Sequence, residues 1–417
     1  ERIPVWFYFL PLLWMVLMAD SYDIRKAGNL KLTLKSLGIS LIASAAVYLV
    51  IYFASEPNSL PRFGVAIFLV LAVLITFFWR LIYVRLFTTA SRQKRALIIG
   101  AGRAGSALAQ IVTEQDPPPF TLVGLIDDDP AKKGTFIEGF PVLGSHKDLK
   151  EIVEENHITD MILAISNEMS PGMFQKILTA QEKGMNMATM QDTYESLTGR
   201  VPISLLESDW VIRSFIDRTP TSSFYRLFKR LGDLILSLIG MLGLIVLYPI
   251  IALLIKLDSK GPIIFKQTRL GRSGIAYTIY KFRTMKDSSD MEKEALVTAS
   301  NDPRVTRVGR LLRKTHLDEI PQIINVLRGQ MSFVGPRSER NELVSVFQKD
   351  VPFYRARMLV KPGITGWAQI HQAYAETVEE TAIKLEYDLY YIEHASIMMD
   401  ILIMLRTITS VLGFKGR

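Results

Sequence analysis

Two adjacent carboxylates, Asp318 and Glu319, follow the basic run Arg310-Leu-Leu-Arg313-Lys314-Thr315-His316-Leu. Cations one to two turns upstream favour the ionised form of a carboxylate. Such a carboxylate can bind a divalent metal or attack phosphorus as a nucleophile. The chain has no cysteine, so thiolate nucleophiles, thiolate metal sites and disulfides are excluded. A structural reading competes. With Thr315 as a helix N-cap, Asp318 is the third helical residue and a capping-box acid. That explains one carboxylate and leaves Glu319 without a reason. His316 reads as a surface neighbour of the pair rather than as its base.

Other basic residues recur beside glycines and short polar stretches. They include Lys266-Gln267-Thr-Arg269, Tyr280-Lys281-Phe-Arg283-Thr, Asn301-Asp302-Pro-Arg304, Gly335-Pro336-Arg337 and Lys361-Pro-Gly363. Arginines grouped around a few carboxylates suit a diphosphate substrate with a divalent metal. The net charge of +8 asks for an anionic partner: nucleic acid, a phosphorylated substrate or an anionic membrane surface. No nucleic-acid motif fits, and the cations stand beside apolar runs, so nucleic acid is not expected.

A second constellation lies in residues 94–217. A short apolar run, 95–99 (RALII), leads into Gly100-Ala-Gly102-Arg-Ala-Gly105 and a helical stretch. A second strand pattern, 122–126, then ends at Asp127, 22 residues after the third glycine. Strand, GxGxxG, helix, strand and acid are the order of a dinucleotide-binding βαβ unit. Residues 161–165 (MILAI) look like a later strand. The glycines permit close approach to a pyrophosphate at the helix N-terminus. They equally permit tight strand–helix packing with nothing bound, and the acids 127–129 can be a plain turn. No Tyr-x-x-x-Lys pair occurs here. A membrane-tethered, NAD-dependent sugar-nucleotide enzyme built on this loop is the alternative function.

The elements around these residues are unusually apolar. Hydrophobic residues make up 49% of the chain and charged ones 22%, which rules out disorder. Three uncharged runs, 3–19, 37–54 and 63–79, read as membrane spans near the lower length limit. Arg25, Lys26, Lys31 and Lys35 follow the first run, and Arg80, Arg85, Arg92, Lys94 and Arg95 follow the third. The positive-inside rule then puts these segments on the cytoplasmic side. The first span starts outside, and with Glu1 in place of Met a further helix upstream is expected. A fourth run, 234–255, has Lys229 and Arg230 before it and Lys256 and Lys260 after it. Both flanks ask for the cytoplasmic side, and Pro249 breaks or kinks a helix. A re-entrant helix over about 231–256, turning at Tyr248-Pro249, satisfies both. The expected domains are thus 1–90 (membrane helices), 91–217 (Rossmann-like α/β) and 218–417. The last holds the chemistry and ends in an apolar helix, 396–412, expected at the membrane interface.

The blocks 280–285 (YKFRTM), 301–304 (NDPR), 313–322 (RKTHLDEIPQ), 331–337 (MSFVGPR) and 361–369 (KPGITGWAQ) occur in one order. Residues 221–417 thereby resemble the bacterial polyprenyl-phosphate hexose-1-phosphate transferases. The N-terminal half resembles that of the large members, whose membrane helices precede a nucleotide-fold domain. The resemblance implies an α-rich monotopic catalytic domain with a re-entrant helix. It also implies transfer of a sugar 1-phosphate from a UDP-sugar to undecaprenyl phosphate with release of UMP. Asp318 would be the nucleophile and Glu319, with Asp318, would hold Mg²⁺. Arg313 and Arg337 match phosphate-contacting arginines; Lys281, Arg283 and Arg304 are further candidates for the pocket. Gly100, Gly102, Gly105 and Asp127 are the candidates for a ligand in the middle domain. The expected partners are the UDP-sugar, undecaprenyl phosphate, inner-membrane lipid and a second copy of the chain. The location expected is the bacterial cytoplasmic membrane, with the catalytic domain facing the cytoplasm. Many relatives continue the WAQ block with an Asn-Gly-Arg-Asn type stretch, whereas here Ile370-His371-Gln372 follows. That leaves the sugar open: glucose and galactose lead, with an N-acetylated sugar as the alternative. Asp388 with Tyr390 and Tyr391 matches a shared stretch of unassigned role.

Overall fold

The computed structural model describes residues 62–87, 94–115, 118–165, 169–205, 223–286, 304–372 and 377–412, with isolated positions between 11 and 49. Most of the first two expected spans, Asn301, Asp302 and the expected domain divides near 90 and 217 lie outside the described residues. The chain forms two compact units, Glu1–Glu207 and Ser208–Arg417.

In the first unit the third expected span is a helix, Arg62–Phe87. Val65 and Leu69 pack it against Trp14, Met18 and Leu37, and the Trp14 indole donates to Thr76 Oγ1 at 3.2 Å. Leu71, Ile75, Phe78 and Trp79 remain exposed. Next comes a six-stranded sheet in the order β3-β4-β2-β1-β5-β6. Its strands are β1 (Arg95–Ile99), β2 (Thr121–Ile126), β3 (Phe136–Ile137), β4 (Phe140–Gly144), β5 (Asp160–Leu163) and β6 (Asn186–Thr189). All pairings are parallel except β3 with β4. Side chains alternate along a strand, so β1 serves two cores. Ala96 and Ile98 face Leu108, Tyr194 and Leu197 of the helices Arg103–Glu114 and Met190–Thr198. Leu97 and Ile99 face Ile152 and Ile177 of the helices Leu149–Glu155 and Pro171–Glu182. An uninterrupted apolar run is what a strand covered on both faces requires.

The second unit begins with a 36-residue helix, Ser223–Asp258, about 54 Å long. Asp233, Ser237, Leu244, Ile251 and Ile255 form its buried stripe. Leu238, Ile239, Leu242, Ile245, Val246, Ile250 and Leu253 stand exposed on its other faces. The helix runs without interruption through Pro249, correcting the expected turn at Tyr248-Pro249. One missing N–H removes one bond of the ladder. The stripe stays packed on either side of the proline, where Leu244, Ile251 and Ile255 share a core with Phe282 and Leu312. Both ends of the helix are tied to the same unit. Arg230 donates to the carbonyls of Val326 and Leu327, and Asp233 accepts from Ser332 Oγ and the Phe333 N–H. At the other end Asp258 accepts from the Val308 N–H at 2.8 Å.

Two small sheets complete the scaffold. β7 (Ile264–Leu270) and β8 (Ala276–Phe282) are antiparallel; β9 (Ser332–Val334) and β10 (Gly363–Thr365) are parallel. Gly335 and Gly363 let the two ends of that second ladder touch. A Cβ on Gly363 would lie 2.2 Å from the Gly335 nitrogen.

Candidate active site

β8 carries Lys281, and the turn after β9 carries Arg337. Between them a 3₁₀ helix, Leu317–Gln322, presents Asp318 and Glu319, both buried. The local start of that helix corrects the capping expectation. Thr315 closes the preceding helix, Arg307–Lys314, and its hydroxyl donates back to the Leu311 and Leu312 carbonyls. His316, left-handed at φ 56°, then reverses the chain, and Glu319 N–H donates to the His316 carbonyl. Asp318 is therefore no capping-box acid. The reversal turns the dyad inward.

The two carboxylates are treated differently. Glu319 Oε1 accepts from Lys281 Nζ at 2.7 Å and from Arg337 Nη2 at 2.6 Å. Its Oε2 has only a long contact, 3.4 Å, to Arg337 Nη1. Burial penalises this charge, yet Arg337 and Lys281 outweigh it and hold the Glu319 carboxyl well below its usual range. For Asp318, burial first and then the Glu319 charge push the carboxyl up. Lys281, Arg337 and Arg313 only partly offset that. The site thus keeps one carboxylate firmly anionic beside a neighbour that titrates nearer neutrality. That is the separation expected of two carboxyls with different roles.

A buried ionic network fixes the Arg337 backbone. Arg357 Nη2 lies 2.6 Å from Asp388 Oδ2 and donates to the Arg337 carbonyl at 3.1 Å. Glu339, two residues on, takes Lys384 Nζ at 2.7 Å and faces Arg357 and Arg269. Asp388 had no assigned role in the sequence; it is the anion that orients Arg357.

The other candidates divide. Arg313 lies close enough to act on the Asp318 charge, and its Nε donates to Thr284 Oγ1 at 3.0 Å. Arg283 points elsewhere: its Nη2 binds the carbonyl and hydroxyl of Ser259 at the end of the long helix. Arg304 sits in a turn whose carbonyl receives the Lys286 N–H. Sequence reasoning passed over Gln322. It lines a small cleft together with Arg269, Lys281 and Arg337. The available signal was its spacing of three from Glu319 on a 3₁₀ helix.

In the α/β domain the glycine loop is closed on itself. Asp127 Oδ2 accepts from the Ala101 N–H at 2.8 Å and from Lys132 Nζ at 2.9 Å, and its Oδ1 accepts from the Asp129 N–H. A Cβ on Gly105 would lie 2.0 Å from the Gly100 carbonyl oxygen, so this glycine serves strand–helix packing. Gly100 sits at φ 109°, while Gly102 borders open space.

A divalent cation suits the dyad's donor set. Among the described residues none donates a hydrogen bond to Asp318, and Glu319 Oε2 is weakly engaged. Mg²⁺ is typically held by one or two carboxylates, with substrate phosphates and water completing its shell.

Comparison with known proteins places the chain among relatives. The family model for bacterial sugar transferases matches residues 224–414, and that for a CoA-binding domain matches residues 18–182. The UDP-N-acetylgalactosamine-undecaprenyl-phosphate N-acetylgalactosaminephosphotransferase of Aeromonas hydrophila is 41% identical over 224 residues. That match covers 54% of this chain and 52% of the relative. The UDP-glucose:undecaprenyl-phosphate glucose-1-phosphate transferase of Xanthomonas campestris pv. campestris is 33% identical over 288 residues, 67% of this chain and 58% of the relative. The matches thus span just over half the length of these two curated relatives. The exopolysaccharide production protein PSS of Rhizobium leguminosarum bv. phaseoli is 42% identical over 190 residues, 44% of this chain and 94% of the relative. With a dyad so placed and a relative covered almost end to end, the chain belongs to the bacterial sugar transferase family.

Proposed function

We propose that the protein transfers a hexose 1-phosphate from a UDP-sugar to undecaprenyl phosphate, as the first membrane step of exopolysaccharide or O-antigen synthesis. The observation that carries this reading is the split dyad: Asp318, with no hydrogen-bond donor among the described residues, beside Glu319 held anionic by Lys281 and Arg337. An Asp318 oxygen attacks the sugar-bearing phosphorus of the donor. The new Asp318 O–P bond forms as the bond from that phosphorus to the UMP oxygen breaks, and UMP leaves. An oxygen of undecaprenyl phosphate then attacks the same phosphorus and frees Asp318. A covalent relay lets a soluble donor and a lipid acceptor use one carboxylate in turn. Lys281 and Arg337 face the developing phosphoryl charge, and Arg313 adds a third cation nearby. Mg²⁺, held through Glu319 and Asp318, would neutralise charge on the diphosphate.

The site works at the cytoplasmic face of the membrane in this reading. Two helices among the described residues, within Arg62–Phe87 and Ser223–Asp258, are long and apolar enough to cross a bilayer. For the second, the basic flanks and the attachment of both ends to one unit support a helix that meets the membrane from one face, without the turn expected at Pro249. Glucose and galactose lead as the sugar, and relatives named for N-acetylgalactosamine and for glucose keep the choice open. The test is UMP release from a panel of UDP-sugars, using the full chain with undecaprenyl phosphate in detergent or nanodiscs. One sugar supporting turnover is expected; silence across the panel overturns the reading.

A further inference from the structure

Two buried amides stand three residues apart, and only one is satisfied. Asn325 is fully enclosed and completely used. Its Nδ2 donates to the Thr278 carbonyl at 2.7 Å and to Gln330 Oε1 at 2.9 Å, and its Oδ1 accepts from the Tyr280 N–H. It fastens the dyad segment to β8. Gln322 is 2% exposed, yet its Nε2 has no hydrogen-bond partner. An enclosed donor without a partner is costly, and native proteins rarely keep one without a reason.

The position of Gln322 supplies that reason. Residues three apart eclipse on a 3₁₀ helix, so Glu319 and Gln322 share one face. Gln322 lines the same cleft as Lys281, Arg337, Arg269 and Ser338. Three cations in its walls make this a place for an anion, and phosphoryl oxygens take hydrogen bonds from neutral and charged donors alike.

We infer that Gln322 is a substrate-binding residue, its Nε2 donating to a phosphoryl oxygen of the diphosphate donor that reacts at Asp318. The inference rests on the phosphotransfer reading above and adds a contact to it. The amide binds the phosphoryl group without adding charge. Lys281 and Arg337 can therefore stay paired with Glu319.

The test compares Gln322→Leu and Gln322→Glu in the full-length protein with the UDP-sugar that the wild type turns over. Loss of a hydrogen bond to a charged group lowers kcat/KM by about 10- to 100-fold in the leucine variant. The glutamate variant loses more, because it places an anion against the phosphoryl group. The melting temperature of the leucine variant stays level or rises, since an unpaired buried donor has been replaced by an apolar group. Unchanged kcat/KM for Gln322→Leu overturns the inference. So does lost activity with a lowered melting temperature or failure to fold, because either marks Gln322 as structural. A glutamate variant as active as wild type also overturns it. Absence of UMP release from the wild type is a separate outcome, seen before any variant is compared. It removes the phosphotransfer reading, and this contact with it.

Discussion

The glycine-rich loop of the α/β domain and the dyad of the transferase domain are both conspicuous motifs, and the fold treats them in opposite ways. At the loop, the acid that ends the second strand is satisfied by near neighbours. Asp127 is occupied by Ala101, Asp129 and Lys132, and Gly105 lets the helix meet its strand. At the dyad, groups are held short of satisfaction. Among the described residues Asp318 is buried without a donor, Gln322 keeps an open N–H, and Arg337 remains about one-third exposed. Asp127 and Gly105 are taken up by structural contacts, whereas groups that keep unmet demand can receive a substrate. The comparison predicts that Asp318 can be changed at a cost in activity but not in stability, and the packing glycine of the loop at a cost in stability but not in activity.

The sharpest way to break it is Asp318→Asn. Loss of the attacking oxygen should lower UMP release by about 10⁴-fold or more and abolish the covalent phospho-sugar adduct seen by intact mass. Residual turnover near wild type ends the nucleophile assignment. The same variant tests stability. Asp318 is raised to about 6 in the folded protein, above its unfolded value of about 3.9. Its ionisation therefore takes stability away as pH rises from about 4 to 6, and that loss persists above. In ligand-free protein at pH 7, Asp318→Asn should melt no lower than wild type, and higher if the charge dominates; a clear drop contradicts the strained-carboxylate picture.

Glu319→Gln comes next. It leaves Lys281 and Arg337 facing a neutral amide. A loss of about 100-fold in turnover is expected, together with about 2 kcal/mol of stability by denaturant titration. The stability figure is below that for a fully buried pair because Arg337 is partly solvated. An effect on activity alone would show that the ion pairs are not structural.

The pH profile is the third handle. The proposed mechanism requires ionised Asp318, so single-turnover adduct formation should rise with pH through about 6 and level off above. A profile flat down to pH 4.5 would mean the carboxyl is not raised during reaction.

The loop supplies the smallest effects. Gly105→Ala drives a Cβ into the Gly100 carbonyl and should cost about 3 kcal/mol, while folded protein keeps its turnover. Gly102→Ala meets open space at φ −91° and should change stability by less than about 0.5 kcal/mol. If Gly102→Ala instead removed turnover, the loop would have to be counted as a site.

Much of the fold was legible because its signals are local. RALII reads as a two-sided strand from its unbroken apolar run, and residues 234–255 read as a membrane-type helix from length alone. Pro249 misled because one proline signals a break locally, while the packing of Leu244, Ile251 and Ile255 decides whether the helix continues. Thr315 misled likewise. The spacing Thr-x-x-Asp is a cap only if His316 stays helical, and His316 is left-handed. Arg283 was grouped with the phosphate cations by type, but Ser259, distant in sequence, takes its guanidinium.

By itself, then, the order of residues determined the inventory and the family. It showed a carboxylate pair among cations, no cysteine, apolar runs long enough for a bilayer, and five blocks in one sequence. Side-chain type and short-range spacing are covalent properties and can be read along the chain. Only the tertiary structure decided which charges are paired and which are left waiting. Glu319 is answered by residues 38 positions before it and 18 after it, while among the described residues none donates a hydrogen bond to Asp318 or accepts one from Gln322 Nε2. Burial and hydrogen-bond satisfaction are through-space quantities, and they turn a pair of adjacent carboxylates into one firmly anionic group and one raised toward neutrality.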